Sequence, residues 1–281
     1  MEKYCDLHTH STYSDGTCTP AEIIAKAEAL GLSAVALTDH NTVAGIPEFL
    51  AAAQGSAVEA VPGVELSTNY VETELHIVGL FLPPDRLDAV AELTDAFNLK
   101  KEDSNRRTVQ NLNRAGYHLD YEQIRRSHPD GTINRATIAA ALLEKGYVAS
   151  VNDAFMGLLS KKSGYYIPPE RLNTFEAIRF LHHLGAVPVL AHPFLNLKTE
   201  DLLRQFLSEA VPHGLAAMET MYPAFSPEIT ETAQRIAREF RLLESGGSDF
   251  HGETKPHIAL GTGKGNLAVP ATFADSLKKS I

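Results

Sequence analysis

Tyr4-Cys5-Asp6-Leu7-His8-Thr9-His10 puts two histidines one residue apart where a short apolar run ends. Side chains alternate along an extended chain, so a His-X-His at a strand end aims both imidazoles at one point. The same chemistry returns later in Thr38-Asp39-His40, Pro62-Gly63-Val64-Glu65, His76, Ala191-His192-Pro193 and Ser248-Asp249-Phe250-His251. Imidazoles and carboxylates that close successive apolar runs predict several divalent metals held together at one mouth of a barrel.

The runs are residues 4–8, 34–38, 58–66, 75–81, 187–191, 215–219 and 242–248, read as strands. Helical stretches lie between them, including 20–30, 175–184 and 227–240. Thr19 is the expected N-cap of the first, with Pro20 at its first helical position and Gly31 ending it. Strands alternating with helices favour a barrel of parallel strands over an open sheet. From about residue 87 to 147 the pattern turns helical and strongly charged, as in Lys100-Lys101-Glu102-Asp103. This predicts a helical insertion at 99–172 in a barrel made of 1–98 and 173–281. Barrels of this kind build their sites at the C-terminal ends of the strands. Every ligand candidate is expected at or just past such an end, except His76 near the start of its own strand.

A chain of 281 residues is long enough for one barrel with an insertion. Its net charge of -10 argues against binding long nucleic acid through a basic surface. A small phosphorylated substrate stays compatible, because bound cations reverse the local sign. Cys5 and Cys18 have neither zinc-finger spacing nor a disulfide framework, and Cys5 is expected to be buried on the outward face of its strand. The N-terminus lacks the basic-then-apolar order of a signal peptide, and no apolar run approaches the ~18 residues of a membrane span. A cytoplasmic protein with no membrane partner is therefore expected; the sequence leaves the oligomeric state open.

The ordered motifs, from Asp6 to about Gly261, resemble the PHP (polymerase and histidinol phosphatase) family of metal-dependent phosphoesterases. They are most similar to stand-alone bacterial members that carry a helical insertion and act on nucleoside monophosphates or 3',5'-bisphosphates. The resemblance implies a distorted (β/α)7 barrel and three divalent cations. One set of ligands would be His8, His10, Glu65 and Asp249; a second would share Glu65 and add His76 and His192; the third would be Asp15, His40 and His251. Glu65, Asp249 and His192 are the residues expected to act on the reaction itself. Relatives place a basic residue in an Asn-Arg-Pro-His-like stretch, which here reads Asn134-Arg135-Ala136-Thr137. Arg135 is thus a candidate phosphate grip and Lys161 (or Lys162) a second cation, while Thr137 stands where histidine is usual.

Each assignment competes with a plainer one. Asp15-Gly16 is also an ordinary turn sequence. Asp6 and Asp39 are either caps or partners that orient a ligand imidazole, the second being favoured. Glu65 follows an apolar run, where a carboxylate is costly to bury without a cation. Gly246-Gly247 is expected to let backbone approach the site. His118, His128, His182, His183 and His213 are read as surface or capping residues, and His257 follows the cluster closely enough for a substrate contact to be considered.

Mixed imidazole and carboxylate ligands suit Mn, Fe or Zn better than Ca or Mg. A water between two such cations is hydroxide at neutral pH and attacks phosphorus in line, while the remaining cation neutralises a phosphoryl oxygen. The leading expectation is hydrolysis of a phosphomonoester of a small nucleotide. The alternatives are exonucleolytic trimming of short oligonucleotides, histidinol-phosphate hydrolysis, C–N bond cleavage as in amidohydrolases (which lack a counterpart of the Asp15, His40 and His251 set), and a non-catalytic metal-binding module.

Overall fold

The computed structural model describes residues 3–127 and 133–281; His128 lies outside them. Its strands are β1 (Tyr4–Asp6), β2 (Ala34–Leu37), β3 (Glu59–Tyr70), β4 (Thr73–Leu80), β5 (Leu172–Asn173), β6 (Val187–Leu190), β7 (Ala217–Met221), β8 (Leu243–Gly246) and β9 (Val269–Pro270). The helices are α1 (Pro20–Ala29), α2 (Ile46–Ala52), α3 (Leu87–Arg114), α4 (Tyr121–Arg126), α5 (Arg135–Glu144), α6 (Val151–Met156), α7 (Thr174–His183), α8 (Pro193–Asn196), α9 (Glu200–Ala210), α10 (Pro227–Glu239) and α11 (Ala271–Lys278).

The sheet runs in the order β8-β7-β6-β4-β3-β2-β1-β9, with β5 added beside β3. Its two ends nearly meet. Leu7 N donates to Gly246 O at 3.2 Å, Asp249 N donates to His8 O at 2.9 Å, and Thr9 bridges to Phe250. The result is a distorted α/β barrel, as the sequence implies, but its strands are not all parallel. β4 runs antiparallel to both β3 and β6, and β9 antiparallel to β1. Tyr70 pairs with Thr73, so only two residues join β3 to β4. A connection that short makes a hairpin, since a parallel crossover needs about a dozen residues or more. The reversal lets His76, near the start of β4, face the same mouth as residues at the ends of its neighbours.

β3 also continues past the expected end, so Glu65 stands within the strand rather than at its tip. Its level is nevertheless that of the mouth: β2 has stopped at Leu37, and His40 bridges to Glu65.

Register separates inside from outside. Val78 pairs with Glu65, and it packs with Ala36, Val61, Val189 and Ala217 from neighbouring strands and with Leu277 of α11. On the opposite face a Cβ at Gly79 would stand 2.6 Å from Leu181 Cδ2 of α7, which explains the glycine. Cys5 belongs to the inner cluster, correcting the outward orientation read from sequence. It is paired with Ala34, two residues from Ala36, and therefore shares the inner face. Burial pushes its thiol up to about 12.

α1 begins as its sequence dictates. Thr19 Oγ1 accepts from Glu22 N while Glu22 returns a bond to Thr19 N, a reciprocal cap worth about 1 kcal/mol. Ile23, Ile24 and Ala27 are then buried on one face.

The chain divides into two compact units, Met1–Thr94 with Leu172–Ile281, and Asp95–Arg171. The first division falls inside α3, which continues without a break, so no composition change marks it in the sequence. The second unit is helical around Leu112, Leu119, Ile138, Leu142 and Leu159. Among the described residues, no helix is long and apolar enough to cross a membrane.

Candidate metal centre

All nine residues named as ligands from the sequence meet in the first unit, in overlapping groups. One group is His10, Asp15, His40 and His251; the others are His8, His10 and Asp249; His8, Glu65 and His192; and His40, Glu65 and His76. The grouping differs from the three sets implied by the resemblance: His10 also stands with Asp15, and His76 stands with His40.

Glu65 is the hub. Its Oε1 lies 2.7 Å from His76 Nδ1 and 3.1 Å from His192 Nε2. Its Oε2 lies 2.9 Å from His40 Nδ1 and 3.3 Å from Nε2 of both His8 and His10. Burial alone would raise the Glu65 pKa, yet His40, His76 and His8 outweigh it and hold the carboxyl well below its ordinary range. Burial likewise opposes charge on His76, but Glu65 and Glu74 lift it to about 10. His10 is pulled down to about 3, first by burial and then by His40 and His251, and so stands neutral with one ring nitrogen's lone pair to give.

The donors fit divalent cations. Among the described residues, His10 Nδ1, His40 Nδ1, His192 Nδ1 and Glu65 Oε2 are buried and make no hydrogen bond; the 2.9 Å approach of His40 Nδ1 to Glu65 Oε2 is a close contact without hydrogen-bond geometry. Buried polar atoms are rarely left so, and a cation is the partner this donor set selects. Backbone strain gathers here as well. Asn41, His192 and Asp249 hold φ of 50°, 28° and 56°, each in or beside the cluster. Such conformations persist where the surroundings impose them. Gly247 is needed for space, because a Cβ there would lie 2.5 Å from both His8 N and His8 Cβ.

The sequence reading misassigned two carboxylates. Asp6 meets no imidazole among the described residues; it accepts from His8 N at 3.4 Å, and from Ser248 N, Ser248 Oγ and Gly261 N at 2.8, 2.5 and 2.7 Å, tying β1 to the segment after β8. β1 ends at Asp6, so strand alternation does not carry on to His8. Asp39 accepts from Ser11 N, Ser11 Oγ and Ser14 Oγ, and so fixes the turn that carries Asp15 rather than a ring.

Three residues escaped notice. Glu219 Oε1 accepts from His8 Nδ1 at 2.8 Å, and its Oε2 accepts from His192 N at 2.6 Å. Tyr222 Oη and Lys255 Nζ donate to Asp249 Oδ2 at 2.8 and 2.7 Å. The available signal for Glu219 was its place at the end of the apolar run 215–219, like Glu65 after its own run. A cleft of about 350 Å³ opens beside the cluster, with His40, His76, Asn196, Tyr222 and Lys255 among its walls.

The substrate-binding candidates lie in the second unit. Arg135 is the first residue of α5, with its guanidinium over the rings of Phe155 and Tyr166 at 4.7 and 4.9 Å. Its Nη2 donates to Phe155 O at 2.9 Å, and its Nε is buried with no hydrogen bond among the described residues. Lys161 and Lys162 are exposed in a turn, and His257 is exposed.

The PHP domain model matches residues 6–161. The chain belongs to the PHP family. A 5'-3' exoribonuclease, Rnm, of Salmonella typhimurium is 33% identical over 91% of this chain and 87% of its own length. A 3',5'-nucleoside bisphosphate phosphatase of Chromobacterium violaceum is 28% identical over 88% of this chain and 86% of its own. Among solved structures, one described as a metal-dependent phosphoesterase from Bifidobacterium adolescentis superposes with a TM-score of 0.78, at 28% identity over 98% of this chain and 95% of that one. This PHP protein is accordingly an enzyme, a metal-dependent phosphoesterase, and its His, Asp and Glu groups are suited to hold the metals.

Proposed function

We propose that the chain hydrolyses a phosphoester of a small nucleotide, a nucleoside monophosphate or 3',5'-bisphosphate. The observation that carries this is Glu65: a buried carboxylate facing the imidazoles of His8, His10, His40, His76 and His192 beside an open cleft. Three divalent cations, Mn, Fe or Zn, are the proposed complement, with the nine residues as ligands. When bound, such cations supply an activated water and neutralise phosphoryl charge.

The chain's own groups have separable tasks. Glu65 would serve as a ligand shared by two cations, with Asp249 and His192 among the residues that would hold them. Lys255 brings a positive charge to the cleft wall next to Asp249. Arg135 and Lys161 are proposed as substrate-binding cations; a guanidinium grips a phosphate through two parallel hydrogen bonds. The helical unit 95–171 is proposed to set substrate selectivity.

A second reading, 5'-3' exonuclease action on short oligoribonucleotides, is favoured by the 33% identity to a relative so named. A 3',5'-bisphosphate and the 5' end of a phosphorylated RNA share a nucleoside with phosphate on both oxygens, so one cleft chemistry serves either. The deciding experiment compares kcat/KM of metal-replete protein on a nucleoside 5'-monophosphate, a 3',5'-bisphosphate, a 5'-phosphorylated tetraribonucleotide and histidinol phosphate. Preference for the bisphosphate or the monophosphate supports the first reading, and preference for the tetranucleotide the second. Preference for histidinol phosphate, or inertness toward all four, overturns both.

A further inference from the structure

We infer that Glu219 is a positioning residue that sets two ligands of the metal cluster at once, the ring of His8 and the backbone of His192. The inference rests on the proposed metal-binding reading of the cluster and deepens it. Glu219 lies on β7 and is 1% exposed. Its two oxygens divide their work. Oε1 stands 2.8 Å from His8 Nδ1, and Oε2 accepts His192 N at 2.6 Å.

On the His8 side, a carboxylate can only accept, so it selects the imidazole that carries its proton on Nδ1. That leaves Nε2, which lies 3.3 and 3.7 Å from Glu65 Oε2 and Asp249 Oδ1, as the ring nitrogen that would give its lone pair to a cation. The same bond sets the rotation of the ring, and a carboxylate behind a ligand imidazole raises its basicity.

On the His192 side the problem is the main chain. β6 ends at Leu190, and His192 turns at φ 28° and ψ 56°, a region that non-glycine residues enter only under constraint. Pro193 follows, so chain continuity alone does not select this turn. A short bond from a buried carboxylate to its N–H is the visible constraint. It holds His192 Nε2 3.1 Å from Glu65 Oε1. One side chain thereby couples the His8 ligand to the His192 ligand, which follow β1 and β6, strands separated by β2, β3 and β4 along the sheet.

Both bonds need an acceptor, and this separates Glu219 from a mere space-filler. Glutamine has the same shape but one acceptor oxygen. In one amide orientation it keeps the His8 bond and turns NH₂ toward His192 N–H. In the other it keeps His192 and donates to His8 Nδ1, which moves the ring proton to Nε2 and blocks ligation. Glu219→Gln should therefore weaken metal binding although it packs like the native residue, and Glu219→Ala should weaken it more.

The test is a titration of metal-free wild type, Glu219→Gln and Glu219→Ala with Co²⁺ alone, read by the visible absorption of the bound ion. Thermal melting of each metal-free protein serves as the fold control. The expected result is a dissociation constant about 10- to 100-fold weaker for the variants, with an altered Co²⁺ spectrum. Glu219→Gln should show this even where Glu219→Ala does not fold. Wild-type affinity and spectrum in Glu219→Gln would overturn the inference while leaving the metal reading intact. Failure of the wild type itself to bind Co²⁺ would overturn the metal reading, and the positioning role with it.

Discussion

Glu65→Gln removes the one carboxylate that faces most of the cluster, and its consequences can be worked from the distances. Two of the four ligand groups contain Glu65, namely His8–Glu65–His192 and His40–Glu65–His76. The other two keep every donor. The variant should therefore lose part of its metal and not all of it. If turnover depends on a cation pair sharing Glu65, the lost stabilisation is about 4 kcal/mol or more, roughly a thousandfold in kcat. The metal-free protein gives a second, independent reading. Glu65 is held below its ordinary pKa of 4.5, so its contribution is present above that pH and is lost as pH falls through the lower folded value. His76 is raised from 6.5 to about 10, so its contribution is full below 6.5 and disappears as pH rises toward 10. Both are fully present only between about 4.5 and 6.5. Breaking a buried pair by removing one partner costs about 3–5 kcal/mol. Urea unfolding of metal-free wild type and Glu65→Gln should show a loss of that order at pH 5.5 that shrinks by pH 9, as imidazoles shed their protons. Equal stability at pH 5.5, or full metal content with unchanged turnover, refutes the hub role.

Other perturbations separate neighbouring claims. Gly247→Ala should displace His8, because the new Cβ would lie 2.5 Å from its backbone nitrogen; lowered melting temperature together with weaker metal uptake is expected, and native values in both would deny the tight approach. Arg135→Ala should leave metal content unchanged while kcat/KM on a 3',5'-bisphosphate falls roughly ten- to a hundredfold, the loss of a charge-assisted contact of about 1.5–3 kcal/mol. Equal, wild-type-like kcat/KM on the bisphosphate and on a 5'-monophosphate would remove it from substrate binding. Loading metal at neutral pH should release protons, since His8 and His76 sit above their ordinary pKa in the metal-free cluster; calorimetric titration in buffers of different ionisation enthalpy reads this, and a buffer-independent heat would contradict it.

Much of the barrel was legible because its strands are short and apolar and the candidate ligands stand where those runs stop. His8, His40, His192 and Asp249 could be read that way. The antiparallel β4 was harder: Val71-Glu72 between β3 and β4 carries no glycine or asparagine to announce a hairpin, although Val71 takes φ 56°. Asp6 was misread because it reaches His8 through the backbone N–H and not the ring, and its remaining bonds go to Ser248 and Gly261, 242 and 255 residues away in sequence. Glu219 was missed for a related reason. Its place at the end of the run 215–219 marked it as a carboxylate near the mouth, but no spacing tied it to His8 or His192, and only the closed barrel brings it behind His8. Cys5 was assigned the wrong face because alternation was counted back from His8, across the point where β1 has ended.

The central claim is that metals held by this cluster hydrolyse a nucleotide phosphoester. The most direct measurement strips the protein with a chelator, restores Mn²⁺, Zn²⁺ or Fe²⁺ in steps, and follows metal content and phosphoester cleavage in the same samples, using a 3',5'-bisphosphate and a 5'-phosphorylated oligoribonucleotide. Activity should vanish in the metal-free protein and return in proportion to occupancy, approaching three ions per chain. Cleavage that persists without metal, or a fully loaded protein inert toward both substrates, contradicts the account.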